Sequence, residues 1–460
     1  MFLNIGYSFF SLIFKAFMSI GIFIILARVL SVDDYGAISL AYSFSIICSA
    51  LAEYGYNFLV LKELNRQRIK NIFWKILFQK FSLSILVIIF IIFYTFYFFA
   101  DKSFYIFLLI SLSGVLFSFT TYSSSAIKSK SIFLDEVKIF GLQVLALGLT
   151  LSWLIYNDDI TSLSFAVSFF LCRLLGALYS VKLALKHFPL TAKLAKQATK
   201  DQRFIFREGS IYGLHIVIAV AYFQIDTQLI GYFVDNASVG FYQNAVRFIV
   251  IGMMVSEVLM QVMLPKLVHA YMIDKKQFAS LARLASNTLQ SVVISYILIL
   301  SVFDEEIVTL LYGEYFVNIT SFTWAIILVC YLRCIANIYG LSSSLSDKPI
   351  LRIFAVFFIL VISVLLNYLL IPKYGYEVSF YIQAFVHIVL VSIYMYITYM
   401  IMGDSLVTFS GLVYLLIVLL LSHTIYIGNI PSLYLLFFLP IIAINGTINY
   451  LKFEKEARLI

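Results

Sequence analysis

Long apolar stretches recur along almost the whole chain, and they leave few choices of fold. They lie near residues 5–30, 36–61, 76–100, 103–127, 137–156, 160–185 and 208–234. Seven more follow near 238–264, 284–303, 317–341, 351–371, 376–401, 406–426 and 432–451. A helix needs about 20 apolar residues to cross a hydrocarbon layer about 30 Å thick. Within lipid, backbone polar groups must be satisfied inside a helix or a closed barrel, and a barrel would show short alternating strands. Nothing here alternates in that way, so each stretch reads as a helix. Charged residues make up only 12% of the chain and hydrophobic ones 62%, against about 25% and about 45–50% in soluble domains. The expected class is an all-α integral membrane protein with about fourteen transmembrane helices.

The start, "MFLNIGYSFF", has no basic residue ahead of its apolar run, and no small-residue cleavage site follows. The first helix is therefore expected to be retained rather than removed as a signal peptide. Cys48, Cys172, Cys330 and Cys334 all fall inside spans, with Cys330 and Cys334 one turn apart on one helix. That spacing suits neither a disulfide framework nor a zinc site, and all four read as packing residues.

Basic residues set the orientation. If the N-terminus is cytoplasmic, the even-numbered connections are too. These are 62–75, 128–138, 186–208, 266–283, Lys348 with Arg352, and the tail from Lys452. Together they hold 23 of the 32 Lys and Arg. The opposite side holds Lys102, Lys373 and the near-end Arg28, with Asp33, Asp34, Asp158, Asp159, Asp235 and Asp304 to Glu306 among its acids. This follows the positive-inside rule with both termini in the cytoplasm. The net charge of +8 is thereby explained as topology meeting anionic lipid, not as nucleic-acid binding.

One phrase occurs twice. "ARVLSVDDYGAISLAYSF" (27–44) and "GYFVDNASVGFYQNAVRF" (231–248) align Gly36 with Gly240 and Ala41 with Ala245 at an offset of 204 residues. Glu53 and Glu257 share that offset. "TYSSSAIKSK" and "LSSSLSDKPI" close the fourth and tenth helices at an offset of 219, which fits an insertion at "DEEIVTLLYGEY" (304–315). Six helices separate the two corners, so both copies enter the membrane in the same sense, as parallel repeats do. The expected organisation is a lobe of six helices at 1–185 and a basic cytoplasmic linker at 186–207. A second six-helix lobe follows at 208–400, and 401–460 holds two further helices and a cytoplasmic tail. Asp33 and Asp34 read as turn and cap residues of the corner.

The corner at 27–44, followed by "LAEYGYNFLVLKELNR", resembles the N-terminal signature of the polysaccharide flippases. These are the Wzx-type O-antigen and capsule transporters of the MOP (multidrug/oligosaccharidyl-lipid/polysaccharide) superfamily. "IDTQLIGYFVDNASVGFYQNAVRF" resembles their seventh and eighth helices, and "EEIVTLLYGEYF" their ninth-to-tenth connection. The resemblance implies two pseudo-symmetric, MATE-like lobes and a substrate of undecaprenyl-diphosphate-linked oligosaccharide. It implies a site in the bacterial cytoplasmic (inner) membrane among its lipids. Polymerase and chain-length proteins of the same pathway are further partners on this reading. It implies no cofactor and no enzymatic activity.

Charges within the apolar helices stand out. Lys15, Arg173 and Arg333 fall near the middle of the first, sixth and tenth spans. Glu53 and Glu257 fall in the inner halves of the second and eighth, and Asp226 and Arg247 in the outer parts of the seventh and eighth. Each such charge costs about 2.5–3.5 kcal/mol at mid-helix on insertion scales, so most must face a polar cavity or one another. Arg28 and Lys80 lie near helix ends, where side chains snorkel, and are set aside. Two readings remain open. The charges hold helices or lobes together as ion pairs, or they line a lumen of cationic bias. In the lumen, Lys15, Arg173, Arg247 and Arg333 would bind a diphosphate or acidic sugar, with arginine as a bidentate fork. Glu53, Asp226 and Glu257 would serve ion coupling or lobe pairing. His215 and His387 read as hydrogen-bonded packing residues rather than proton relays.

No phosphate loop, zinc-protease motif or dinucleotide fingerprint occurs. The leading expectation is a flippase working by alternating access, with a lipid II flippase or a multidrug extruder of the same superfamily as alternatives. A membrane glycosyltransferase or polymerase is the reading from a different class. It is disfavoured because the longest outer connection is the short stretch around 304–315.

Overall fold

A computed structural model describes residues 2–66, 71–99, 103–189, 202–346, 350–427 and 433–458. Among these, fourteen helices are long and apolar enough to cross a membrane, from Phe10–Val29 to Leu435–Ala457, and no strand occurs. The helical class and the number of spans agree with the sequence pattern. Lys102, Lys348 and residues 190–201 of the basic linker lie outside the described residues.

The helices are inverted relative to those of a soluble protein. In α5 (Ile72–Phe98) the buried positions beyond its first turn are Ile76, Lys80, Ser84, Val87, Ile91 and Thr95. That spacing of three and four residues is one helical face. Phe81, Leu86, Ile89, Phe93 and Phe96 lie on the other face and are exposed. Polar groups thus point to the bundle interior and large apolar ones outward, which only a lipid surrounding makes favourable. Lys80 is fully buried. It does not snorkel, and its setting-aside as a helix-end residue is corrected: its stem runs into the bundle, where acceptors await it.

By contacts the chain divides into two compact units, Met1–Gly240 and Phe241–Ile460. In the first, α1 (Phe2–Ala16) passes through a π-helical turn, Phe17–Gly21, into α2 (Ile22–Val29). The second span is split into α3 (Val32–Glu53) and α4 (Tyr56–Arg66). After α5 come α6 (Phe104–Lys128), α7 (Phe133–Tyr156), α8 (Ser162–His187) and α9 (Gln202–Phe233). Helix α6 packs against α3 and α8, and α9 packs on α3. The division therefore falls one span beyond the basic linker, because the seventh span, α9, is fastened to the second. Tyr54 Oη donates to Ser210 Oγ at 3.3 Å, Lys62 pairs with Glu208 at 3.4 Å, and the Phe58 and Tyr212 rings lie 4.4 Å apart.

The repeated corners have a common build. Ser31 caps α3, its side chain accepting from the Asp34 N–H at 3.2 Å. Asp235, 204 residues on, accepts from the Ser238 N–H at 2.7 Å at the start of the eighth span. Asp34 in turn accepts from the Ser162 hydroxyl at the start of α8. The two corners also touch. A Cβ placed on Gly36 would lie 1.7 Å from the Asn236 carbonyl oxygen, and one on Gly240 would lie 3.6 Å from the Gly36 Cα. Glycine at 36 is what lets the two backbones meet.

Helix α10 (Asn236–Ile273) crosses into the second unit, which continues with α11 (Lys275–Val302), α12 (Asp304–Tyr312) and α13 (Thr323–Leu345). It ends with α14 (Ile350–Tyr374), α15 (Val378–Met402), α16 (Phe409–Tyr426) and α17 (Phe438–Arg458). The expected connection at 266–283 is almost entirely helical: α10 and α11 run on beyond their apolar parts and are separated by Asp274, which caps α11. Hydropathy marks where a helix meets lipid, and says little about how far it continues into water. The inferred insertion is α12 followed by the 3₁₀ segment Glu314–Phe322. The last two spans are held to α10 and α11 by polar contacts. Ser291 Oγ and Tyr414 Oη are 2.9 Å apart, Asn445 donates to that same Tyr414 oxygen at 2.6 Å, and Lys266 pairs with Glu454.

Candidate functional site

Lys15, Glu53 and Arg173 come together around one cavity of about 350 Å³ in the first unit, with Tyr42, Ser45 and Ser49 also on its wall. Lys15 closes the last turn of α1, directly before the π turn. There the Ser19 hydroxyl bonds the Lys15 and Ala16 carbonyls at 3.1 and 3.2 Å, supplying a donor where the regular helical ladder is interrupted. Single π turns inside α-helices occur frequently at functional sites.

The Lys15 ammonium is paired. It lies 2.6 Å from Glu136 Oε1 and 4.3 Å from the centroid of the Phe140 ring, and Lys128 approaches the same carboxylate oxygen at 2.7 Å. Glu136 is only 1% exposed, whereas both lysines are about a third exposed at 33% and 32%. The cluster of two ammonium groups and one carboxylate carries a net positive charge. The sequence pattern placed Glu136 in a connection. Helix α7 begins before residue 137, so Glu136 stands in its first turn and points into the bundle.

Arg173, buried on α8, is held differently. Its guanidinium carbon lies 4.2 Å from the Phe117 ring centroid and 5.1 Å from that of Phe169, and one N–H donates to Gln143 Oε1 at 3.3 Å. Among the described residues no carboxylate pairs with it. A guanidinium has five donors and keeps its charge. Here it stands over aromatic rings beside a cavity, with one neutral acceptor. Such a group is set to receive an anion, and arginine suits the planar, two-point contact of a phosphate.

Glu53 ends α3 at the break in the second span and has Lys80 and Asn57 as electrostatic and hydrogen-bonding neighbours. Asp226 is fully buried on α9 but is not on the cavity wall. In the second unit Arg247 is buried and donates to Asn244 Oδ1 at 2.8 Å. Arg333 on α13 has Glu257 of α10 and His387 of α15 as electrostatic neighbours. His387 is 1% exposed, and its Nδ1 lies 2.7 Å from the Gln383 carbonyl one turn back, as a packing histidine would. The four cysteines are free and buried.

Sequence reasoning passed over three participants: Glu136, Gln143 and Lys80. Gln143 was visible as an amide inside the fifth span. Lys80 was visible as the first of three polar residues, with Ser84 and Thr95, on one stripe of α5.

Residues 2–270 match the model of a family described as polysaccharide biosynthesis protein. The chain belongs to this family. The matched stretch includes Lys15, Glu53, Arg173, Asp226, Arg247 and Glu257, and stops short of Arg333. Comparison with curated protein sequences gives no match. Among solved structures, the chain is similar to the lipid II flippase MurJ in an inward closed conformation, with 16% identity and a TM-score of 0.70. That alignment covers 99% of this chain and 98% of that one. It is also similar to a multidrug resistance MATE family transporter of the MOP superfamily in two conformations. The outward-facing form gives 10% identity and a TM-score of 0.60 over 93% of this chain and 95% of that one. The inward-facing form gives 10% and 0.57 over 91% and 96%. At these identities the likeness is one of fold. This member of the polysaccharide biosynthesis family therefore shares the fold of those transporters.

Proposed function

We propose that the chain is a flippase that moves an undecaprenyl-diphosphate-linked oligosaccharide repeat unit across the bacterial inner membrane for O-antigen or capsule synthesis. It is not an enzyme on this reading. Residues 1–185 and 208–400 act as the two moving lobes of an alternating-access cycle, with both termini in the cytoplasm. The observation that carries the proposal is Arg173: a guanidinium on the wall of a membrane-embedded cavity, over aromatic faces and without a carboxylate partner among the described residues. A diphosphate headgroup supplies the missing anion, Lys15 beside the π turn supplies a second cation, and the hydroxyls of Tyr42, Ser45 and Ser49 suit sugar. The polyprenyl tail stays in lipid. Arg247 and Arg333 of the second lobe are likewise assigned to anion binding, and Glu53, Asp226 and Glu257 to ion coupling or lobe pairing.

The test is replacement of Lys15, Arg173 and Arg333 together by neutral residues in cells. The variant protein should remain in the membrane while surface polysaccharide is lost and polyprenyl-linked oligosaccharide accumulates. Normal surface polysaccharide from the triple variant refutes the proposal.

A further inference from the structure

The break in the second span leaves a set of oxygens around one point, and a lysine fills it. Tyr54 and Gly55 have φ of 41° and 72°, and this left-handed pair ends α3 before α4 begins. Carbonyls in the last turn of a helix lack in-helix donors. One of them, Ala52 O, accepts from Lys80 Nζ at 2.8 Å. Ser118 Oγ accepts from the same ammonium at 3.0 Å, and its own hydrogen is committed to Val115 O at 2.7 Å, so it presents lone pairs to the lysine. The ring centroids of Phe119 and Tyr122 lie 5.1 and 6.0 Å from Nζ, and the Glu53 carboxylate is the acidic neighbour. Lys80 is fully buried. A carbonyl at a helix break, a hydroxyl oxygen, aromatic faces and a nearby carboxylate are all partners for a cation. Oxygens freed where a membrane helix unwinds are typical ligands for a monovalent cation.

We propose that the Lys80 ammonium is the tethered occupant of a monovalent-cation site at the break in the second span, so that this site requires no free Na⁺ or K⁺. The charge that steadies the broken helix and faces Glu53 is part of the chain and cannot dissociate during a transport cycle. This inference is independent of what the cavity carries.

The experiment compares melting of the purified full-length wild type, Lys80→Ala and Lys80→Met in choline chloride, NaCl and methylammonium chloride at equal ionic strength. Lys80→Ala removes the ammonium and leaves room; Lys80→Met removes it and fills the room. Lys80→Ala should melt below wild type in choline and recover at least half of the deficit, saturably, in Na⁺ or methylammonium. Wild type and Lys80→Met should respond equally to all three salts. A Lys80→Ala protein indifferent to the cation overturns the proposal, as does a wild type that responds as strongly as Lys80→Ala. If Lys80→Ala does not accumulate, Lys80→Ser carries the same series. Failure of both to accumulate in cells supplied with methylammonium also contradicts a site that accepts a free cation.

Discussion

Alanine at position 36 probes the contact between the two repeated corners. Residue 36 is helical, so the methyl group itself is tolerated by the backbone and improves helix propensity by about 1 kcal/mol in every conformation. Its cost is steric and local. The added Cβ would sit 1.7 Å from the Asn236 oxygen, and real Cβ atoms stay beyond 3.0 Å, so the corners must part by at least 1.3 Å. Overpacking of this kind costs ~1–3 kcal/mol. On the proposed alternating-access cycle, the corner contact is expected to be made in one conformation and opened in the other, so the cost falls on one side of the equilibrium. It should shift the balance by about 5- to 150-fold. Spin labels at 33 and 234, in a background without the four native cysteines, report the separation by pulsed electron paramagnetic resonance. Gly36→Ala should transfer population from the short to the long distance by that factor. Gly240→Ala should do far less, because its Cβ is tight only against the Tyr35 ring edge, at 3.1 Å, and meets the Val32 oxygen and the Gly36 Cα at ordinary distances of 3.5 and 3.6 Å. An unchanged distance distribution in folded Gly36→Ala, or an equal effect of both substitutions, would refute the reasoning.

Three further outcomes are expected. Arg173→Lys keeps the charge but loses the planar fork and its ring contacts, and a charge-assisted hydrogen bond is worth ~1.5–3 kcal/mol. Binding of a polyprenyl diphosphate, measured by calorimetry, should weaken about 10- to 100-fold, and retention of wild-type affinity would argue against phosphate contact. Glu136→Gln leaves Lys15 and Lys128 facing each other without their shared carboxylate and should cost ~1–3 kcal/mol of stability, read as a lowered melting temperature. The added change Lys15→Met should restore part of that loss, since it removes one of the two unpaired ammonium groups. On the connection between α15 and α16, the hydrogen bond from Arg283 holds the Asp404 carboxyl below its ordinary value, which is about 3.9. This tether is present above that ordinary value and lost only as pH falls through the lower folded value. Proteolysis at 403–408 should therefore rise in acid and be pH-independent in Arg283→Gln.

Much of the fold could be read from residues because lipid imposes so simple a rule. An apolar run of bilayer length must be a helix, and the glycine-centred corner at 36 and 240 announced the repeat. What could not be read were the places where a helix departs from regularity. The π turn after Lys15 and the break at Tyr54–Gly55 lie inside the expected spans, and hydropathy does not register hydrogen-bond pattern. Of the buried charges, Lys15, Glu53 and Arg173 were singled out by the expense of burying them, and all three meet at one cavity. Their partners were harder. Glu136 stands four residues into α7, at a boundary that apolarity locates only to within a turn. Lys80 lies near the expected helix end, but the stripe it shares with Ser84 and Thr95 turns it into the bundle.

The most direct measurement of the central claim is one-sided transport. Purified protein is reconstituted into vesicles carrying polyprenyl-diphosphate-linked oligosaccharide, and the fraction reached by an external glycosidase is followed with time. Wild type should expose the inner-leaflet pool progressively, and Arg173→Ala, folded and equally incorporated, should leave it protected. Equal exposure by the two proteins, or protection in both, would contradict a cavity whose arginine carries the anionic headgroup.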